Sequence, residues 1–246
     1  MKASVLNQFG ISRAQEGRPL HRTSGDNFYL VDQTNRHVEI FDDFIHSSVS
    51  DAVDGEGAWG ASLASGGSTT FGDESGGALI VASDNTDNDE VLLRSHDEWF
   101  TFDATKNLKF EARVKSNIVV HGTFIGLSEL GIALGQADGT LMVATESCCG
   151  FWMQEAASIL FNTCNDTTNT STDTGVDRVA DTYNVFTFTY TASDKTWRAY
   201  IDGTLKVTST ATTNPASAMG IQIGHRNQSG AIGTTTIDYV YCSAEM

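Results

Sequence analysis

Proline is almost missing: Pro19 and Pro215 are the only two in 246 residues, too few for a Pro-rich linker or a collagen-like stretch. Long apolar runs are missing too, and none approaches the roughly 20 residues that a membrane-spanning helix needs. Met1-Lys-Ala-Ser-Val-Leu6 runs directly into Asn7 and Gln8, so the apolar core of a secretion signal never develops. The expectation is a chain made in a cytosol and kept soluble, without a membrane partner. Cations are scarce: 15 Lys and Arg stand against 31 Asp and Glu, a net charge of −16. A nucleic-acid binder needs a basic stripe to displace phosphate counterions, and the absence of one argues against nucleic acid. The acidity suits high solubility, a basic docking surface or a saline environment alike. Cysteine is confined to Cys148, Cys149, Cys164 and Cys242. Adjacent cysteines are not the usual C-x2-C ligand pair, so no metal centre and no cofactor is expected. Free thiols are the expectation for a cytosolic chain, and a bridge from Cys148 or Cys149 to Cys164 is the alternative. No internal repeat of roughly 20–50 residues argues for a propeller or solenoid.

The pattern of what is present breaks near residue 37. Residues 1–36 show little periodicity and carry five Lys/Arg against three acids, a net +2, which leaves −18 for the rest of a chain totalling −16. This stretch is expected to be an extended N-terminal arm. Its apolar residues, Val5, Leu6, Phe9, Ile11, Leu20, Phe28, Tyr29, Leu30 and Val31, are too many for a purely solvating tail. They fit a segment that orders against a neighbour by strand addition or threading. The contacts would come from Phe9, Ile11, Arg13, Arg18, Arg22, Phe28, Tyr29 and Leu30.

Residues 37–246 read as one all-β body. Leu108, Phe110, Ala112 and Val114 alternate with Lys109, Glu111, Arg113 and Lys115, a period of two with one dry and one wet face. Phe186, Phe188 and Tyr190 alternate with threonines. After a turn at 192–195, Trp197, Ala199 and Ile201 do the same, and Asp202-Gly203 signals a tight turn. Residues 119–127 are uniformly apolar and expected to be buried on both faces. Residues 45–76 read as a long ordered loop anchored by Trp59 and Phe71, with short strands in it as the alternative, 162–181 as a polar surface loop, and 128–136 as the one credible helix. About a dozen strands without crossover helices imply two packed antiparallel sheets.

The order of motifs carries a resemblance. Phe41-Asp-Asp-Phe44 opens the body, Leu108-Lys-Phe-Glu-Ala-Arg-Val114 precedes Phe124-Ile-Gly-Leu127, Trp197-Arg-Ala-Tyr-Ile-Asp-Gly203 follows Phe188-Thr-Tyr190, and Ile237-Asp-Tyr-Val240 closes it. Over residues 37–246 this resembles the concanavalin A-like (laminin-G-like) jelly roll, a sandwich of two curved sheets. In flavour it is similar to structural proteins of tailed bacteriophages, above all capsid decoration or cement proteins. That likeness implies a non-enzymatic virion protein on the capsid surface. Its arm would bind major capsid protein, other virion proteins and sister copies, giving a homo-oligomer such as a trimer.

The residues support few catalytic readings. Glucanases of the same fold use a strand-borne Glu-x-Asp-x-x-Glu, which this chain lacks, so no catalytic residue is assigned. No Gly-x-Ser-x-Gly elbow is present. His121 and His225 read as structural histidines within strands. Asp84 to Glu90 is expected to be a plain turn; were calcium held there, Asp84, Asp87 and Asp89 would be its first ligands. The alternative function is lectin-like binding of host glycans, with sugars stacking on aromatics. Trp59, Trp99, Trp152 and Trp197 supply the rings, and Trp59 and Trp99 are the leading candidates, although Trp59 also suits a loop anchor.

Overall fold

The alternation of apolar and polar residues from Leu108 onward produces a strand at the middle of a twisted sheet, and the same pattern recurs along the chain. A computed structural model describes residues 21–22, 28–32, 37–44, 49–50, 59–63, 66–72, 77–119, 121–129, 146–153, 158–210, 213–228 and 230–245. Its strands are β1 His21–Arg22, β2 Phe28–Asp32, β3 His37–Asp42, β4 Val49–Ser50, β5 Trp59–Leu63, β6 Ser68–Phe71, β7 Leu79–Ala82, β8 Glu90–Ser95, β9 Phe100–Thr101 and β10 Leu108–Ser116. They continue with β11 Gly122–Ser128, β12 Cys148–Met153, β13 Ser158–Cys164, β14 Asn169–Asp177, β15 Asn184–Thr191, β16 Thr196–Ile201, β17 Thr204–Ser209, β18 Ala218–Arg226 and β19 Thr234–Glu245. Among the described residues every regular element is a strand.

Two sheets result. The larger has ten strands, with the path β1-β2-β3-β19-β10-β15-β16-β17 and with β7 joining β6 to β19. The smaller has nine, with the path β14-β13-β12-β11-β18-β8-β5-β4 and β9 beside β18. All pairings are antiparallel except that of β4 with β5. The fold is therefore an all-β antiparallel two-sheet jelly roll.

Aromatic rings fill the space between the sheets. From the larger sheet, Phe110 stacks on Phe188 with centroids 4.9 Å apart. From the smaller, Phe151 meets Phe186 at 5.1 Å, and Phe161 meets Phe188 at 5.7 Å and Trp197 at 6.1 Å. Such pairs add to the burial of their large apolar area. The β16–β17 hairpin closes on Asp202 and Gly203, both at positive φ (50° and 73°), the two-residue turn that matches strand twist.

Several expectations are corrected. The polar stretch 162–181 is not a loop: Asn162 to Cys164 end β13, and Asn169–Asp177 forms β14 at the sheet edge. An edge strand needs no apolar stripe. Threonine favours extended backbone, and buried Thr174 donates its hydroxyl to the Ile159 carbonyl at 2.6 Å. Ser128 ends β11 instead of opening a helix, and the remainder of that expected helix after Glu129 lies outside the described residues. Phe28, Tyr29 and Leu30 belong to β2, which pairs with β3 of the same chain in the register Phe28↔Phe41 and Leu30↔Glu39. Their strand addition is thus to their own body, whose sheet reaches back beyond residue 37. Arg22 lies on β1. Phe9, Ile11, Arg13 and Arg18 lie outside the described residues.

Phe188 is fully buried at the meeting point of the rings. Phe188→Ala is expected to lower unfolding free energy by about 3–5 kcal/mol, read from denaturant unfolding of the purified chain.

Candidate functional site

Alternation gives the smaller sheet two faces of different character. Ile125, Leu127, Cys149, Phe151, Phe161, Ile221, Ile223 and Leu93 belong to the main core between the sheets. Their neighbours in sequence must point to the outer face, away from the larger sheet. There Leu92, Phe124, Cys148, Trp152 and Cys164 form a separate apolar cluster, with Leu160 packed on it.

Across this outer face runs one register row: Asn162 opposite Gly150, Gly150 opposite Gly126, Gly126 opposite Gln222, Gln222 opposite Arg94, and Arg94 opposite Gly60. Four strand spacings separate Asn162 from Arg94, roughly 19 Å. The glycines in its middle are required by contact. A Cβ at Gly126 would meet the Cys149 carbonyl oxygen at 2.4 Å, and one at Gly150 would meet the Ile125 oxygen at 2.5 Å. The Phe124 ring lies over both of them.

The polar members of this face are buried and unsatisfied. Asn162 and Gln222 have no solvent exposure, and neither the amide oxygen nor the amide nitrogen of either side chain has a hydrogen-bond partner. The Trp152 indole N–H and the Ser128 hydroxyl, on the same face, are also unpartnered. Each such group costs about 1–3 kcal/mol while it remains unmet. Buried polar side chains in folded proteins are normally bonded, so a cluster of orphans on one face calls for a ligand or ordered water. Sequence reasoning named Trp152 among four tryptophans but did not single it out, and it missed both amides. The available signal was a single amide breaking an apolar run, in Phe161-Asn162-Thr163 and Ile221-Gln222-Ile223.

The leading aromatic candidates lie elsewhere. Trp59 is 2 % exposed, packs on Phe44 at 5.5 Å, and its indole N–H donates to Asp42 at 2.6 Å. Its ring faces the main core between the sheets and its N–H is already committed to Asp42, which corrects that candidate and agrees with an anchoring role. Trp99 is half-buried against the main core instead of the outer-face cluster. Trp197 is buried, with its indole N–H on Asn214 at 2.9 Å.

The acidic turn has its own bonding. Asp84 accepts the Thr86 amide at 2.7 Å and the Thr86 hydroxyl at 3.1 Å, an Asx turn that holds its carboxyl below the usual range. Desolvation and the hydrogen bond that its carboxyl donates to Asp84 push Asp89 up. Asp87 lies exposed in the turn. Among the described residues no three His, Cys, Asp or Glu side chains gather as a metal site. Glu146 is raised by desolvation and by the neighbouring Glu129, to which it is hydrogen-bonded. That contact is closer than the roughly 5–9.5 Å between the carboxyls of a glycosidase pair. All four cysteines are buried free thiols, and Cys148 stands opposite Cys164 in register with the two side chains hydrogen-bonded.

At one end of the sandwich His121 and His225 meet edge to face at 5.5 Å. His225 is held by Thr235 at 2.9 Å and Ser83 at 3.2 Å, as a structural histidine should be. Neither ring nitrogen of His121 makes a well-formed hydrogen bond, although the Arg226 backbone approaches the ring. Burial, helped by His121 and Arg178, lowers His225 to about 3. Burial and Arg178 lower His121 as well.

Two outcomes follow from this geometry. A histidine depressed from its unfolded value near 6.5 to about 3 binds its proton more readily in the unfolded chain. The stability it confers is complete above about pH 6.5 and is lost progressively as pH falls toward 3. Unfolding midpoints should therefore fall across that window, and His225→Gln should flatten the slope. Trp59→Phe strips buried Asp42 of one donor and should cost about 1–3 kcal/mol of stability while leaving ligand binding unchanged.

No protein-family profile matches the chain, and no curated protein matches it in sequence. Solved structures do match its fold. A protein of unknown function from Shewanella oneidensis MR-1 aligns with 14 % identity and a TM-score of 0.62, over 100 % of this chain and 95 % of that one. Peanut lectin aligns with 10 % identity and a TM-score of 0.56, over 85 % and 97 %. A Bacillus licheniformis β-glucanase aligns with 15 % identity and a TM-score of 0.53, over 83 % and 97 %. At such identities the likeness shows the fold alone: this chain has the concanavalin A-like jelly roll of lectins and glucanases.

Proposed function

We propose that this chain binds carbohydrate on the outer face of the smaller sheet, along the row from Asn162 to Arg94. The observation that carries the reading is the pair of wholly unpartnered buried amides on one face. A sugar hydroxyl both donates and accepts, and so does a carboxamide. Trp152 offers an indole N–H two residues along β12 from the glycine notch. The names of the fold's neighbours, a lectin and a β-glucanase, favour glycan binding over the virion-scaffold role. A row of roughly 19 Å suits an extended oligosaccharide better than one monosaccharide.

Asn162 and Gln222 are shut from solvent, so a ligand reaches them only when this face opens. The orphaned amides lower the cost of opening, because each gains water or ligand bonds when it is uncovered.

The test pairs a glycan array with an isosteric change. Gln222→Met removes an orphan while keeping its volume. It should leave unfolding free energy unchanged or raise it by about 1–3 kcal/mol, and weaken glycan binding at least about tenfold. An array on which the unaltered chain binds nothing would sink the reading. So would a Gln222→Met chain that binds as well as its parent.

A further inference from the structure

The outer face also holds a cation that, among the described residues, no carboxylate meets at contact distance. Arg94 is 8 % exposed and stands directly opposite Gln222, about 5 Å away at one strand spacing. Among the described residues, the charge that acts on it is that of Glu90. Glu90 lies four residues earlier on the same strand, roughly 13 Å away, with Leu92 between them on the face. Glu90 stands instead opposite Arg226.

Other cations of the body are answered at close range. Arg113 meets Asp238 at 2.6 Å, Lys109 meets Glu111 at 3.3 Å, and Arg198 pairs with Asp194. Arg94 has no such partner. Burial without one lowers its pKa, a sign that the charged form is strained there. A buried charge is tolerated when it is paired, and the neighbouring Gln222 can supply hydrogen bonds but no charge.

We infer that the glycan held on this face is acidic, with a sugar carboxylate seated against Arg94 and Gln222. The inference rests on the glycan reading and adds the class of ligand to it. Guanidinium presents parallel N–H donors that match the two oxygens of a carboxylate, and the Gln222 amide N–H reaches an adjacent oxygen. A sulfate ester shares the negative charge but not the planar two-oxygen shape. The chain's net −16 repels such a ligand at long range, but that repulsion is screened within about 8–10 Å at physiological salt. The contact inside the face is screened far less.

Calorimetric titration of the full chain decides the matter with three sets of probes. The first is oligomers of glucuronate, mannuronate and galacturonate. The second is the same oligomers with carboxyls reduced to primary alcohols. The third is the reduced oligomers carrying a sulfate ester at that position. At least one uronate should bind about tenfold or more tightly than its reduced form. Arg94→Gln should abolish that difference. Equal binding of acidic and reduced oligomers overturns the acidic ligand while leaving glycan binding intact. Tighter binding of the sulfate ester overturns the carboxylate. Failure of every probe overturns both readings. Should Arg94→Gln lose its near-ultraviolet circular dichroism, the uronate-against-reduced comparison on the unaltered chain decides alone.

Discussion

The ring layer between the two sheets is the constraint from which the rest of the molecule follows. Phe110, Phe188, Phe186, Phe151, Phe161 and Trp197 interlock there, and none can leave without opening a large void. Committing Phe151 and Phe161 to the interior fixes the registers of β12 and β13. Side chains in a strand alternate strictly, so Gly150, Trp152 and Asn162 must then face outward. The same step on β11 and β18 turns Gly126 and Gln222 outward opposite them. A slip of one residue would carry two carboxamides into the aromatic layer. The polar row is therefore not an independent feature. It is the reverse side of the core.

Its energetics run against stability. Two buried amides with four unmet polar atoms, an unmet indole N–H and an unmet hydroxyl lie on one face of one sheet. Apolar residues of the same volume would be neutral or better for folding. The glycine pair adds a second sign. Gly126 and Gly150 leave a notch where any larger side chain would strike neighbouring backbone, and Phe124 closes over it. Folding alone explains the glycines, through the close approach of β11 and β12. It does not explain the amides on either side of them. A face that costs stability and gathers donors and acceptors is where binding has the most to gain.

Much of the fold was legible in the chain. The alternations at Leu108–Val114, Phe186–Tyr190 and Trp197–Ile201 became β10, β15 and β16, and Asp202-Gly203 became the turn between β16 and β17. Residues 122–127 proved buried on both faces, as their uniform apolarity implies. What failed did so for physical reasons. β14 is an edge strand made of threonine, serine and aspartate, with no stripe to betray it. Phe28–Asp32 reads as part of an arm because its pairing with β3 shows only once the hairpin is closed. Trp59 sits beside a glycine-rich stretch, which suggested exposure, but its bonds to the core through Phe44 and Asp42 join positions distant in sequence. The candidate site was hardest to see. Asn162 and Gln222 gain meaning only from the strands that separate and align them.

Two arginines withdrawn from solvent are accommodated in different ways. Arg178 is half-buried, and desolvation of its guanidinium lowers it to about 10. Its guanidinium donates to the carbonyls of Ile118, Val119 and His121 and to the Thr123 hydroxyl. Those acceptors belong to the segment leading into β11, so the residue clasps that segment to the end of β14. It needs no carboxylate because four oriented oxygens share its charge. Arg94 carries the same guanidinium but, among the described residues, no comparable set of oxygens. It sits on a face where the nearest amide is itself unpartnered. A protein that satisfies one guanidinium so completely has the means to satisfy another. Among the described residues, the contrast between the two guanidiniums lies in what surrounds them, carbonyl and hydroxyl oxygens for Arg178 and an unpartnered carboxamide for Arg94.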